Sequence, residues 1–125
     1  AEIRAVCLEE KVFFEQAERR ILGIDHAEAG ALILDGWRFP KDIVHAIQWH
    51  HEPAVAKQSR MAAFMLHLAD VLGYSEGMGT GTDGMKYPIS REAIATLKLH
   101  SRTIERVASQ ALDKVQELES VIGSP

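Results

Sequence analysis

With 125 residues, 46% of them hydrophobic, and 14 basic against 18 acidic residues for a net charge of −4, the chain has the size and composition of one globular domain. No basic stripe stands out, which sets nucleic acid aside as a partner. The single cysteine, Cys7, can form no intramolecular disulfide and reads as a small buried apolar residue in a reducing compartment. Without a signal peptide or an apolar run that would span a bilayer, the cytoplasm is the expected location and no membrane contact is expected.

Residues 1–22 contain no glycine or proline and read as one helix. Val12, Phe13, Ala17 and Ile21 form its apolar stripe, and Glu15, Glu18 and Arg19 fall mostly outside it. Gly23 is a C-cap candidate. Asp25, with Glu28 three residues on, has the spacing of a capping box, which puts His26 in the first turn of the next helix. That helix packs through Ala31, Ile33 and Leu34. Gly30 in its interior is read equally as a close approach by another element or as tolerated drift. Trp37-Arg38-Phe39-Pro40 closes it, because proline disfavours helix in the residue before it and suits the first turn of the next. The following helix carries Ile43, Val44, Ile47 and Trp49 as core and runs to His50-His51-Glu52, ahead of Pro53.

Gln58 to Tyr74 is apolar nearly all round and reads as the central buried helix, with Phe64, Met65 and Leu68 inside. His67 and Asp70 lie three residues apart on one of its faces, and a buried carboxylate there needs a partner, with His67 the nearest candidate. Residues 76–88 form a glycine-rich loop. It lacks the strand before it and the Lys-Ser/Thr after it that a phosphate loop requires. Ser90 caps a short helix to Leu97. The last helix, from Ser101 or Thr103 to Ile122, places Ile104, Ala108, Ala111, Val115, Leu118 and Ile122 at alternating spacings of four and three, a heptad seam. The seam is short for a coiled coil, so docking on the chain's own helices is the favoured reading and a homodimer through 104–122 the alternative.

Three histidines gather around one helix pair: His26 at a helix start, His50 and His51 at a helix end. The order Gly23-x-Asp25-His26-Ala27-Glu28-x-Gly30, then Trp37-x-x-Pro40, then Ile43-x-x-Ala46-Ile47-x-x-His50-His51-Glu52-Pro53 resembles the HDOD family, the HD-related output domains of bacterial signalling proteins. Leu68-Ala69-Asp70 resembles that family's late Ala-Asp helix. DGMKYP also echoes the DGxGYP signature of HD-GYP phosphodiesterases, but it lies far downstream of His50-His51-Glu52 and has Lys86 in place of a glycine, so it is read as chance.

The resemblance implies an all-α helical bundle of about five to six helices spanning 1–125, equivalent to the C-terminal part of an HDOD domain. An N-terminal half of similar size would precede it in the family, so a fragment or a shortened domain is expected. HD-type hydrolases hold metals with imidazoles and carboxylates from several helices. Position by position, His26, His50, His51 and Asp70 match the late ligands of such a site. The early His and His-Asp ligands have no counterpart, because no His-Asp dipeptide occurs in this chain. The expected function is therefore a non-catalytic regulatory or output module that binds a protein partner, a signalling domain or a small ligand. A metal-dependent phosphohydrolase using Fe, Mn, Zn or Mg is one alternative, and a helical oligomerisation module another. Trp37, Glu52 and His67 are candidate ligand-contacting or structural residues. Tryptophans 37 and 49 are expected as core anchors, and His50-His51 can also cap their own helix end.

Overall fold

Lys11 takes a left-handed backbone (φ 54°) and splits the amino-terminal region into two helices, α1 (Glu2–Glu10) and α2 (Phe14–Leu22). The break carries no glycine or proline, which is why residues 1–22 read as one helix in sequence. The Phe13 N–H donates to Gln16 Oε1 (3.3 Å) and so opens α2. The computed structural model describes residues 2–75 and 88–123; the glycine-rich stretch lies almost wholly outside them.

Gly23 closes α2 in the left-handed region (φ 77°), its N–H donating to the Arg19 carbonyl. A non-glycine residue there would carry steric strain. The chain thus turns back sharply, and α3 (His26–Gly36) begins against α2. Asp25 is its N-cap, with Oδ1 accepting from the Glu28 N–H (2.8 Å). The Glu28 side chain does not complete a reciprocal box but faces Arg19, which also donates from Nε to Asp25 Oδ2 (2.7 Å). Arg38, at φ 60°, turns the chain into Pro40 and α4 (Lys41–Trp49).

The helix α4 ends at Trp49 rather than at the histidines, which occupy the turn before a single 3-10 turn at Pro53–Val55. α5 (Arg60–Ser75) follows, then α6 (Arg91–Thr96), with Ser90 Oγ accepting from the Ala93 N–H (3.2 Å), and α7 (Ser101–Ile122). All regular structure among the described residues is helical, so the all-α expectation holds, with the additional helix arising from the break at Lys11.

The most extensive packing is α3 on α4, followed by α4 on α5. Small side chains permit this closeness: Ala27, Ala31, Ala46 and Ala63 are buried. A Cβ added to Gly30 would sit 3.5 Å from Ile47 Cγ2, an ordinary van der Waals contact, so α3 and α4 are close there without requiring glycine. Phe64 is the largest fully buried side chain.

Several residues expected inside are outside. Ile33, Ile43 and Met65 are exposed, and Trp37 is 70% exposed. Trp49 and Leu68 are only half-buried. For Ile43 and Met65 the cause is that, among the described residues, α5 is covered on one side only. Its Ala63, Phe64, His67 and Val71 face inward, and Met61, Met65 and Ala69 face out.

Candidate functional site

Glu18 is the residue on which the site is built. It lies on α2, only 8% exposed, opposite the start of α3. Its Oε2 accepts from the His26 backbone N–H (3.0 Å) and from His26 Nδ1–H (2.5 Å). One carboxylate oxygen thereby satisfies one of the free N–H groups at a helix start and orients the imidazole. Glu18 was expected outside the apolar stripe. It is buried because the turn at Gly23 folds α3 back onto it.

With Nδ1–H engaged, neutral His26 presents the Nε2 lone pair. His51 meets it there, with the two Nε2 atoms 2.8 Å apart, so a neutral His51 donates Nε2–H to His26. His50 uses Nδ1–H to cap its own helix end, donating to the Ile47 carbonyl (2.6 Å), which leaves Nε2 as its lone-pair nitrogen. The rings of His50 and His51 lie 3.9 Å apart between centroids, tilted by 42°, and those of His26 and His51 are edge-on at 4.7 Å. Burial, and then the neighbouring His50 and His26, push the His51 pKa down from 6.5 to about 3. His51 is therefore neutral at ordinary pH, the form that binds metals.

One ring nitrogen each from His26, His50 and His51 lie within 4.8 Å of one another, the donor set of a metal site. The residues fit such an ion in their outer contacts as well. The carboxylate behind His26 and the carbonyl behind His50 are the partners that ordinarily fix a ligating histidine's tautomer. Two nitrogens about 2.0–2.1 Å from one tetrahedral ion stand roughly 3.3 Å apart. A small opening of the 2.8 Å His26–His51 contact, with the His51 proton moved to Nδ1, would reach that separation. Three neutral imidazoles suit Zn or Fe and do not suit Mg.

Asp70 does not join this group. It is half-buried on α5, and its field favours the charged form of His67. His67 is not its hydrogen-bond partner either. Buried on α5, His67 donates Nδ1–H to the His50 carbonyl (2.9 Å) and accepts from the Ser90 N–H at Nε2 (3.2 Å). Both nitrogens are used by the backbone, so His67 joins α5 to the turn that carries His50 and to the start of α6. Its pKa is lowered, chiefly by burial, against the bond to the His50 carbonyl and the charge of Asp70.

Asp25, buried beside the cluster, stays ionised. Burial works against its charge, but the Glu28 N–H and Arg19 outweigh it and hold its pKa below the ordinary carboxylate value. Glu52 is exposed and lines a cavity of about 80 Å³ with Arg19, Asp25 and His51. Trp37 stands at the far end of α3 from the histidines.

Residues 1–53 match the family model of the HDOD domain. Over this stretch, under half of its length, the chain is similar to the HDOD family. Neither a curated protein nor a solved structure matches it. The matched segment contains Glu18 and all three clustered histidines, and it ends where the 3-10 turn begins. His67, Asp70 and α5 to α7 lie beyond it. Among the described residues, no helix is long and apolar enough to cross a membrane.

Proposed function

We propose that this chain is a non-catalytic regulatory module of bacterial signal transduction and that it works by binding a protein partner. The observation that carries this reading is the HDOD match at residues 1–53. The donor set supports it: three imidazoles can hold one ion, whereas a two-metal hydrolytic site needs further, bridging ligands. The surface supports a protein over a small solute. A groove between α4 and α5, about 520 Å³, is lined by Ile43, Ala46, Ile47, Met65, Leu66 and Ala69, with Asp42 as its one charged residue. Small-molecule sites fix their ligand with several convergent polar groups, and exposed apolar surface of this kind is characteristic of protein contacts.

The test is release of phosphate or nucleotide from cyclic dinucleotides and simple phosphoesters, with Mn or Fe added. Wild type, His51→Ala and Asp70→Ala are compared. No turnover above the buffer rate is expected in any of them. Turnover in the wild type that vanishes in His51→Ala would replace this reading with a metal-dependent phosphohydrolase.

The histidine geometry favours a second property, a single divalent ion at His26, His50 and His51. Cobalt is a suitable probe because its visible bands report coordination. Tetrahedral bands that appear with the wild type and are lost in His51→Ala are expected, together with a rise in melting temperature on adding zinc. Identical titrations for the two proteins would remove the ion from the reading.

A further inference from the structure

The helix α7 is the longest of the described helices, and Ala108 is its one buried residue. Its apolar residues are otherwise open on either side of that point: Val107, Leu118, Val121 and Ile122 are exposed, Ile122 by 80%. An amphipathic helix owes most of its stability to packing of that face, so the carboxy-terminal half of α7 calls for a partner. We propose that this partner is α7 of a second copy of the chain, paired in parallel and in register as a short two-stranded coiled coil.

The residue types along the seam choose the occupant. Setting Ile104, Ala111 and Leu118 at d places Ala108, Val115 and Ile122 at a. In the exposed half, β-branched Val115 and Ile122 thus occupy a and Leu118 occupies d, the combination that favours two parallel strands. The flanking positions choose the direction. Glu105, Leu112 and Glu119 fall at e, and Val107, Lys114 and Val121 at g.

In a parallel pair, each g residue meets the e residue five positions on in the other copy. Lys114 then faces Glu119 twice, once on each side of the seam, and Val107 faces Leu112, extending the apolar contact. In an antiparallel pair, like positions meet: Glu105 opposes Glu119 twice, and Lys114 opposes Lys114. All three contacts are repulsive. The Lys114 side chain, now bonded to Glu117 of its own helix (2.6 Å), is exposed and within reach of the alternative partner. The seam covers fewer than three full heptads, so the dimer is weak and reversible.

Sedimentation velocity over a wide concentration range, on the whole chain, tests this. The wild type should pass from monomer to dimer, and Leu118→Glu should remain monomeric with unchanged helical circular dichroism. Lys114→Glu should raise the dissociation constant about tenfold, and Lys114→Glu combined with Glu119→Lys should recover most of that loss. For direction, Ile122→Cys in a Cys7→Ala background should form a cross-linked dimer on mild oxidation, because only the parallel register sets position 122 beside its own copy. A wild type that stays monomeric at every concentration overturns the proposal. So does a dimer indifferent to Leu118→Glu, which would point to the α4–α5 groove instead. A dimer that forms but neither cross-links at 122 nor responds to the charge exchange overturns the parallel register.

Discussion

The contact between Glu18 and His26 shows how far a motif alone reaches. His26, His50 and His51 are legible in sequence because chemistry-bearing residues recur at helix ends, where packing does not demand them. Glu18 is not legible: next to Ala17 in a polar run, it looks like a solvated face, and only the reversal at Gly23 buries it. Asp70 fails for the opposite reason. Its position in an apolar helix suggests a site, but it is half-buried and stands outside the histidine group. Glu18→Ala removes the acceptor of two bonds and should cost about 1–3 kcal/mol, read from the urea midpoint. Glu18→Gln keeps an acceptor oxygen and should cost less. Equal stability of wild type and Glu18→Ala would show that the bonds do not form in solution. The same residues set the acid response. The folded His51 refuses a proton until about pH 3, whereas the unfolded chain takes one as pH falls through about 6.5. The unfolded state therefore binds more protons across that window, and stability falls with falling pH by up to about 1.4 kcal/mol per unit for this one group. His67 acts in the same direction. Stability of the metal-free protein should accordingly be flat above about pH 7 and decline below it. A rise in stability between pH 7 and pH 4 would contradict the neutral, buried His51.

At the scale of the helix, the boundaries that sequence reveals are those with a stereochemical cause. Gly23 in a left-handed cap, Pro40 at the head of α4 and the Ser90 cap of α6 all fall where residue chemistry places them. The break after α1 has no such marker: Lys11 is left-handed although lysine has no preference for that region, and α1 packs on α2 across the break. The orientation of α5 was equally hidden. A helix apolar on every face has no phase to read, so Met65 and Phe64 look alike in sequence, yet one is 60% exposed and the other fully buried. That contrast can be measured. Phe64→Ala should cost about 3–5 kcal/mol, whereas Met65→Ala should stay within about 0.5 kcal/mol of the wild type. A large loss for Met65→Ala, or a small one for Phe64→Ala, would rotate α5 away from the orientation described.

At the scale of the whole molecule, the exposed face of α5 and the outer side of α4 become one feature. Ile43 and Met65, from different helices, stand on the same groove with Leu66 and Ile47, and both are open to solvent. If these side chains belonged to the core, replacing them would unfold the chain. If they form a contact surface, replacing them should change what the surface binds and leave the fold intact. The double variant Ile43→Lys/Met65→Lys separates the two. Its urea midpoint should lie close to that of the wild type, because neither side chain loses much buried area. Its response to an uncharged apolar dye such as Nile red should fall sharply, because the dye needs the continuous apolar floor that two lysines interrupt. The same variant should retain its histidine site, since neither residue belongs to the group formed by His26, His50 and His51. Unchanged cobalt or zinc binding alongside lost dye binding would show two separate functional surfaces. An unfolded double variant would instead return Ile43 and Met65 to the core and remove the groove as the place where a partner docks.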